Sequence, residues 1–241
     1  QPYQEFRFVA GNAITKLRQR LQHLIAADNL KARLIRAGLG SAGIQAANRI
    51  LVLALGIVLA RTLGPEGYGV YAYAFAIMTL LMVLAEAGVP TLLMREIAAS
   101  QGREEWGLLR GVVRRAGQFV TLAASGVAMV GLLILWAIGD RLSPAAFCTT
   151  ALMLLMLPLS AGAKTITHAL YGLHLVVLGR TLNLLLRPLL VLGLVGVTFW
   201  AWPELRQPQY AMSAQLLAAA LVLVAGVATL GRRMPVQTRT A

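Results

Sequence analysis

Six apolar runs, near residues 42–60, 70–94, 117–138, 146–163, 181–202 and 211–230, constrain this chain more than anything else in it. Each holds roughly 18 to 25 mostly apolar residues. At about 1.5 Å of rise per residue, that is what a helix needs to cross a hydrocarbon core about 30 Å thick. Such runs are far longer than a core strand, and in lipid a spanning helix satisfies its own backbone. The expected fold is an all-α membrane protein with about six transmembrane helices. Composition agrees: 58% of residues are hydrophobic and 13% charged, where soluble domains carry about 25% charged residues.

The polar segments divide the chain and orient it. Residues 1–37 form a basic segment in which Ile14, Leu17, Leu21, Leu24 and Ile25 recur at helical spacing, predicting an amphipathic surface helix. Residues 38–230 hold the spans, and 231–241 form a tail or linker. Seventeen Lys and Arg residues lie in the segment before span one, the loops 95–116 and 164–180, and the tail. The alternate loops, 61–69, 139–145 and 203–209, carry one each. Positive residues stay cytoplasmic, so both termini are expected inside. Trp136, Trp200 and Trp202 fall at the opposite ends of spans three and five, as interfacial aromatics should. The loop 103–115 (REEWGLLRGVVRR) predicts a short surface helix.

The net charge of +13 invites a nucleic-acid reading, but the basic residues sit between apolar runs rather than along one face. No nucleic-acid partner is expected; the bilayer is. One cysteine, Cys148, excludes an internal disulfide and a multi-cysteine metal site. Gly38, Gly40 and Gly43 spell G-x-G-x-x-G, but that fingerprint needs a preceding strand and a soluble helix after it. His168 and His174, six residues apart with no carboxylate nearby, make a poor metal site. No cofactor or metal is implied.

Three charged residues lie inside spans: Arg49, Glu86 and Arg187. By helical rise, Arg49 and Glu86 lie roughly 10 to 12 Å from the cytoplasmic ends of their spans, and Arg187 about 9 Å. One layer can hold all three. Charges at such depth face a bundle interior or a wet cavity and pair there. Three readings stay open: an Arg49–Glu86 ion pair with Arg187 snorkelling to the interface, a cationic cavity that takes a phosphorylated lipid, or ion coupling through Glu86. Arginine suits phosphate because its planar fork binds oxygens bidentately and cannot be deprotonated. Gln45, one turn before Arg49, and Asn48 extend the polar face. Pro90 and Pro188 are expected kink points.

Several motifs carry a resemblance. The first set is Ala60-Arg61, Leu63-Gly64-Pro65 and Tyr68-Gly69, then Leu84-Ala85-Glu86-Ala87-Gly88 and Arg95-Glu96-Ile97-Ala98. The second is Tyr171-Gly172-Leu173-His174 with Leu186-Arg187-Pro188-Leu189. Together they resemble the polysaccharide flippases of the multidrug/oligosaccharidyl-lipid/polysaccharide exporter superfamily, in particular their N-terminal half. The resemblance implies a lobe of a transporter that moves undecaprenyl-pyrophosphate-linked oligosaccharide across a bacterial inner membrane, for polysaccharide or O-antigen biosynthesis. It implies no covalent chemistry, and it implies a polysaccharide polymerase and glycosyltransferases as partners. Its rivals are a cation-coupled multidrug exporter of the same superfamily, a membrane glycosyltransferase, and a non-transporting scaffold of a glycan-assembly complex. An arginine in the first span matches the family's cationic cavities, so Arg49→Gln is expected to abolish glycan export.

Overall fold

Gly64 folds the first apolar stretch back on itself. The computed structural model describes the backbone of residues 2–102 and 106–233, and the side chains of 42–100 and 111–232. The chain divides into two compact units, Gln1–Gly43 and Ile44–Ala241. The first is helical along its described backbone, and the side chains of the basic segment 1–37 lie outside the described residues. Helix α1 (Pro2–Glu86) is interrupted at Gly64, with φ 69° and ψ 177°, a region open essentially to glycine. Pro65 follows, where a helix start has no N–H bond to lose.

The two arms of α1, 44–63 and 65–86, lie side by side. The Tyr68 hydroxyl comes within 3.9 Å of where a Cβ on Gly56 would stand, and Val52 and Phe75 line one groove. In a straight helix those two residues would be about 34 Å apart. The described residues therefore hold five helices long and apolar enough to span, Ala42–Glu86, Gly111–Ala137, Pro144–Gly172, Val176–Ala201 and Pro208–Arg232. Because the first is folded at Gly64, they make six passes.

After α1 come α2 (Val89–Gly102), α3 (Trp106–Ala137), α4 (Pro144–Gly172), α5 (Val176–Arg180), α6 (Arg187–Ala201) and α7 (Pro208–Arg233). No strand occurs among the described residues. Short 3₁₀ turns, Gly139–Arg141 and Pro203–Leu205, close the end of the bundle that also holds Gly64. At that end Ser143 caps α4 by accepting a hydrogen bond from the Ala146 N–H at 3.2 Å, with Pro144 beside it. Trp136 and Trp200 are exposed there, on the last turns of α3 and α6.

Helix α4 is the centre, packed against α7, α3 and α2. Small residues let the backbones approach: Gly162 faces Leu223, and Gly226 faces Ile166. Ala124, Ala128, Ala161, Ala218 and Ala219 fill the same core. Its buried threonines, Thr149, Thr165 and Thr167, donate to carbonyls one turn back, so their hydroxyls need no other partner. Outward, the bundle is a belt of exposed Leu, Ile and Val, including Leu80, Val83, Leu122 and Val224. Such a surface is stable against lipid, not water. A smaller core of Leu93, Ile97, Ala169, Leu170, Leu173 and Leu230 seals the other end beneath α2.

Several element bounds differ from the expected ones. The second pass ends at Glu86, and the next residues turn through Ala87 (φ 43°) and Gly88 (φ 78°) before α2 begins. Pro90 stands in the first turn of α2 rather than inside a span. Helix α4 continues through Pro158 and Gly162 to Gly172. The fifth pass begins at Val176, and Pro188 produces a π-helical stretch, Thr181–Leu186, rather than a break. Proline lacks an N–H and its ring crowds the carbonyl four residues back, so wider hydrogen bonding relieves it. Of the loop 103–115, residues 103–105 lie outside the described residues, and 106–115 are the first turns of α3 rather than a separate short helix.

Candidate functional site

A groove of about 310 Å³ runs between the arms of α1, the fifth pass and α7. Its lining begins at Asn48 on the first arm and reaches Leu59, a span of about 16 Å by helical rise. Asn183 in the π-helical stretch and Arg187 at the start of α6 face it from one side, and Gln215 of α7 from another. Tyr68, Tyr71 and Phe75, on one face of the second arm, complete an aromatic wall. Adjacent rings in that wall are stacked, with centroids 6.4 Å and 6.1 Å apart.

Arg187 sets the electrostatics. Counted from Val176, it lies eleven residues into the fifth pass, or about 16 Å, nearer the middle than the interface. Its Nη2 donates to Ser160 Oγ at 3.5 Å and approaches Met156 Sδ at 4.0 Å, both on α4. Among the described residues, no carboxylate pairs with it. A guanidinium has five N–H donors, so most of its capacity remains open. At this depth, an arginine without a carboxylate partner is a candidate contact for an anionic group.

Of the residues singled out in the sequence, Asn48 and Arg187 share the groove. Arg49 and Gln45 are exposed and do not line it. Glu86 is elsewhere. Its Oε2 accepts from Lys164 Nζ at 2.6 Å, so its ion-pair partner is Lys164 rather than Arg49. Glu86 and Arg187 meet different residues of α4, Lys164 and Ser160, so the charges do not form one cluster. The residues missed were Asn183, Gln215, Tyr71 and Lys164. Asn183 carried a signal, a polar amide one turn before an intramembrane arginine. Gln215 carried the same kind of signal, an amide within an apolar run.

Gln215 and Tyr71 are both buried, and Gln215 Nε2 donates to the Tyr71 hydroxyl at 2.9 Å. This bond ties α7 to the second arm at the aromatic end of the groove.

The fold is a polytopic α-helical membrane bundle with an arginine-centred groove. Residues 38–234 match the family described as polysaccharide biosynthesis protein, and the chain belongs to that family. Membership carries a role in polysaccharide synthesis or export. No curated protein and no solved structure matches the chain.

Proposed function

We infer that this protein translocates a lipid-linked oligosaccharide, with undecaprenyl pyrophosphate as the carrier, across the bacterial inner membrane. The observation that carries the reading is Arg187, a guanidinium deep in the fifth pass with no carboxylate partner among the described residues. Pyrophosphate supplies the missing negative charge, and the planar fork suits its oxygens. Asn48 and Asn183 donate further hydrogen bonds along the groove, so the headgroup exchanges water for protein donors on its way across. The prenyl tail stays in the bilayer. No covalent step belongs to this reading. A cationic multidrug cargo fits worse, since Arg187 repels it and Glu86 is engaged by Lys164.

In this topology both termini are cytoplasmic, and the Gly64 end faces the periplasm. Arg49, exposed near the cytoplasmic end, draws the anionic headgroup towards the groove, with Gln45 beside it. Glu86 holds structure rather than cargo. A polymerase and glycosyltransferases supply and consume the glycan. The test is export in cells lacking the chromosomal copy, with protein level and membrane insertion measured in parallel. Arg187→Gln is expected to lower export by about tenfold or more, from the loss of charge-assisted bonds. Arg187→Lys, which keeps the charge but loses the fork, is expected to fall between, and Arg49→Gln to lower export less than Arg187→Gln. Full export by Arg187→Gln at normal protein level would refute the reading.

A further inference from the structure

The Tyr71–Gln215 pair leaves hydrogen-bonding capacity that the protein does not use. Both side chains are more than nine-tenths buried, and both line the groove. Gln215 Nε2 donates to the Tyr71 hydroxyl, which consumes a lone pair of that oxygen and leaves its proton free. Among the described residues nothing accepts that proton, and nothing donates to Gln215 Oε1. Two unused donors, the Tyr71 O–H and the second Nε2–H of Gln215, and one acceptor, Gln215 Oε1, therefore stand together. A sugar, whose hydroxyls both donate and accept, satisfies such a set; a phosphate, which only accepts, leaves Oε1 unmet.

The surroundings agree. Tyr68, Tyr71 and Phe75 are stacked along one face of the second arm, a rigid apolar wall against which the C–H face of a sugar ring can lie. Tyr71 and Gln215 are about 10 Å by helical rise from the Gly64 end of their helices, whereas Arg187 is nearer the middle. The groove's volume equals about ten waters, so it takes a headgroup and one ring rather than a whole glycan.

We propose that Tyr71 and Gln215, backed by the aromatic wall, form a sugar subsite that reads the monosaccharide attached directly to the lipid pyrophosphate. This rests on Arg187 as the pyrophosphate contact and adds to it a direction: the glycan lies on the Gly64 side of the guanidinium. The site thereby distinguishes a loaded carrier from a bare one.

Purified protein in nanodiscs is titrated with two probes, farnesyl pyrophosphate and farnesyl pyrophosphate bearing one N-acetylglucosamine. The wild type is expected to bind the sugar-bearing probe about tenfold more tightly, the worth of two hydrogen bonds. Tyr71→Phe, which keeps the ring and removes one oxygen, and Gln215→Leu are each expected to bring the two probes to within about threefold of each other. Each variant is expected to weaken the sugar-bearing probe more than the bare one. Equal loss on both probes, or unchanged preference in Tyr71→Phe, overturns the sugar subsite while leaving the pyrophosphate reading intact. Arg187→Gln binding both probes as the wild type does overturns that reading instead, and binding of neither probe by the wild type overturns both.

Discussion

The ion pair between Glu86 and Lys164 is the sharpest test of how the two cores of this bundle are joined. Ala85 belongs to the main core and Leu93 to the smaller one; on α4, Ala161 and Ala169 divide the same way. The pair bridges this boundary beside the turn at Ala87 and Gly88, where α2 departs. Its partners are unequal: the Glu86 side chain is 11% exposed and that of Lys164 43%. Glu86 Oε1 is buried with no hydrogen-bond partner among the described residues, so Lys164 alone compensates the carboxylate. Lys164→Met leaves a buried carboxylate without a partner. Breaking a fully buried pair costs about 3–5 kcal/mol, and the partial exposure of Lys164 lowers the expected cost to about 2–3 kcal/mol. Glu86→Gln leaves an ammonium that can turn to water, at about 1 kcal/mol. The double variant is expected near the milder single, a coupling of about 2–3 kcal/mol. Reversible unfolding in mixed micelles measures all four proteins, and hydrogen exchange over 89–102 should rise most in Lys164→Met. Equal single costs that simply add would refute the reasoning and place the pair among surface contacts worth little.

Two further expectations concern glycines. A Cβ on Gly172 would stand 2.7 Å from Ile97 Cβ and 2.9 Å from the Met94 carbonyl oxygen, so Gly172→Ala must separate α2 from α4, at about 1–3 kcal/mol. On Gly131 the nearest atom is Leu154 Cδ2 at 2.6 Å, the end of a side chain that can rotate, so Gly131→Ala should cost less, under about 1.5 kcal/mol; thermal unfolding of the purified variants gives the order, and the reverse order would contradict the packing. At Gly64 nothing lies within 4 Å of a Cβ, so Gly64→Ala should cost about 1–3 kcal/mol from backbone conformation alone. Cysteine cross-linking between positions 52 and 75 would report whether the arms still lie side by side.

Hydrophobic run length made the passes legible, because the bilayer imposes a single length on every spanning helix. Their ends were less legible. Gly88 followed by Pro90 is a helix-stop signal, but the apolar Val89, Leu92, Leu93 and Met94 carried the run past it. Of these, Leu93 is buried together with Ile97 against α4, while Leu92 stays exposed. In α4 the helix runs past the expected span, 146–163. Lys164, Thr165, Thr167 and His168 open a mixed-polarity stretch that prolongs it to Gly172. Thr165 and Thr167 satisfy themselves on their own helix, Lys164 pairs with Glu86, and His168 Nδ1 donates to the Lys164 carbonyl. Polar side chains that find partners along or beside a helix do not end it.

The same distinction explains why only part of the groove could be read in advance. Depth from sequence is a one-dimensional quantity: it places charges in layers but not on faces. It made Arg49 and Glu86 neighbours in a layer, whereas α4 brings Lys164 to Glu86 across 78 positions of chain. Facing is decided by the fold at Gly64, which sets the second arm's aromatic face opposite Asn48 and Val52, and by the π-helical stretch that Pro188 induces before Arg187. Gln215 needs both to meet Tyr71, 144 positions away. An arginine in hydrocarbon is visible in any sequence because it is costly wherever it points. An amide is a modest cost that neighbours can offset, so its meaning appears only once its partner is known. What an intramembrane arginine binds is therefore set less by its own chemistry than by the uncharged groups that share its cavity. Here those are two asparagines, two phenols and a glutamine amide, and no acid.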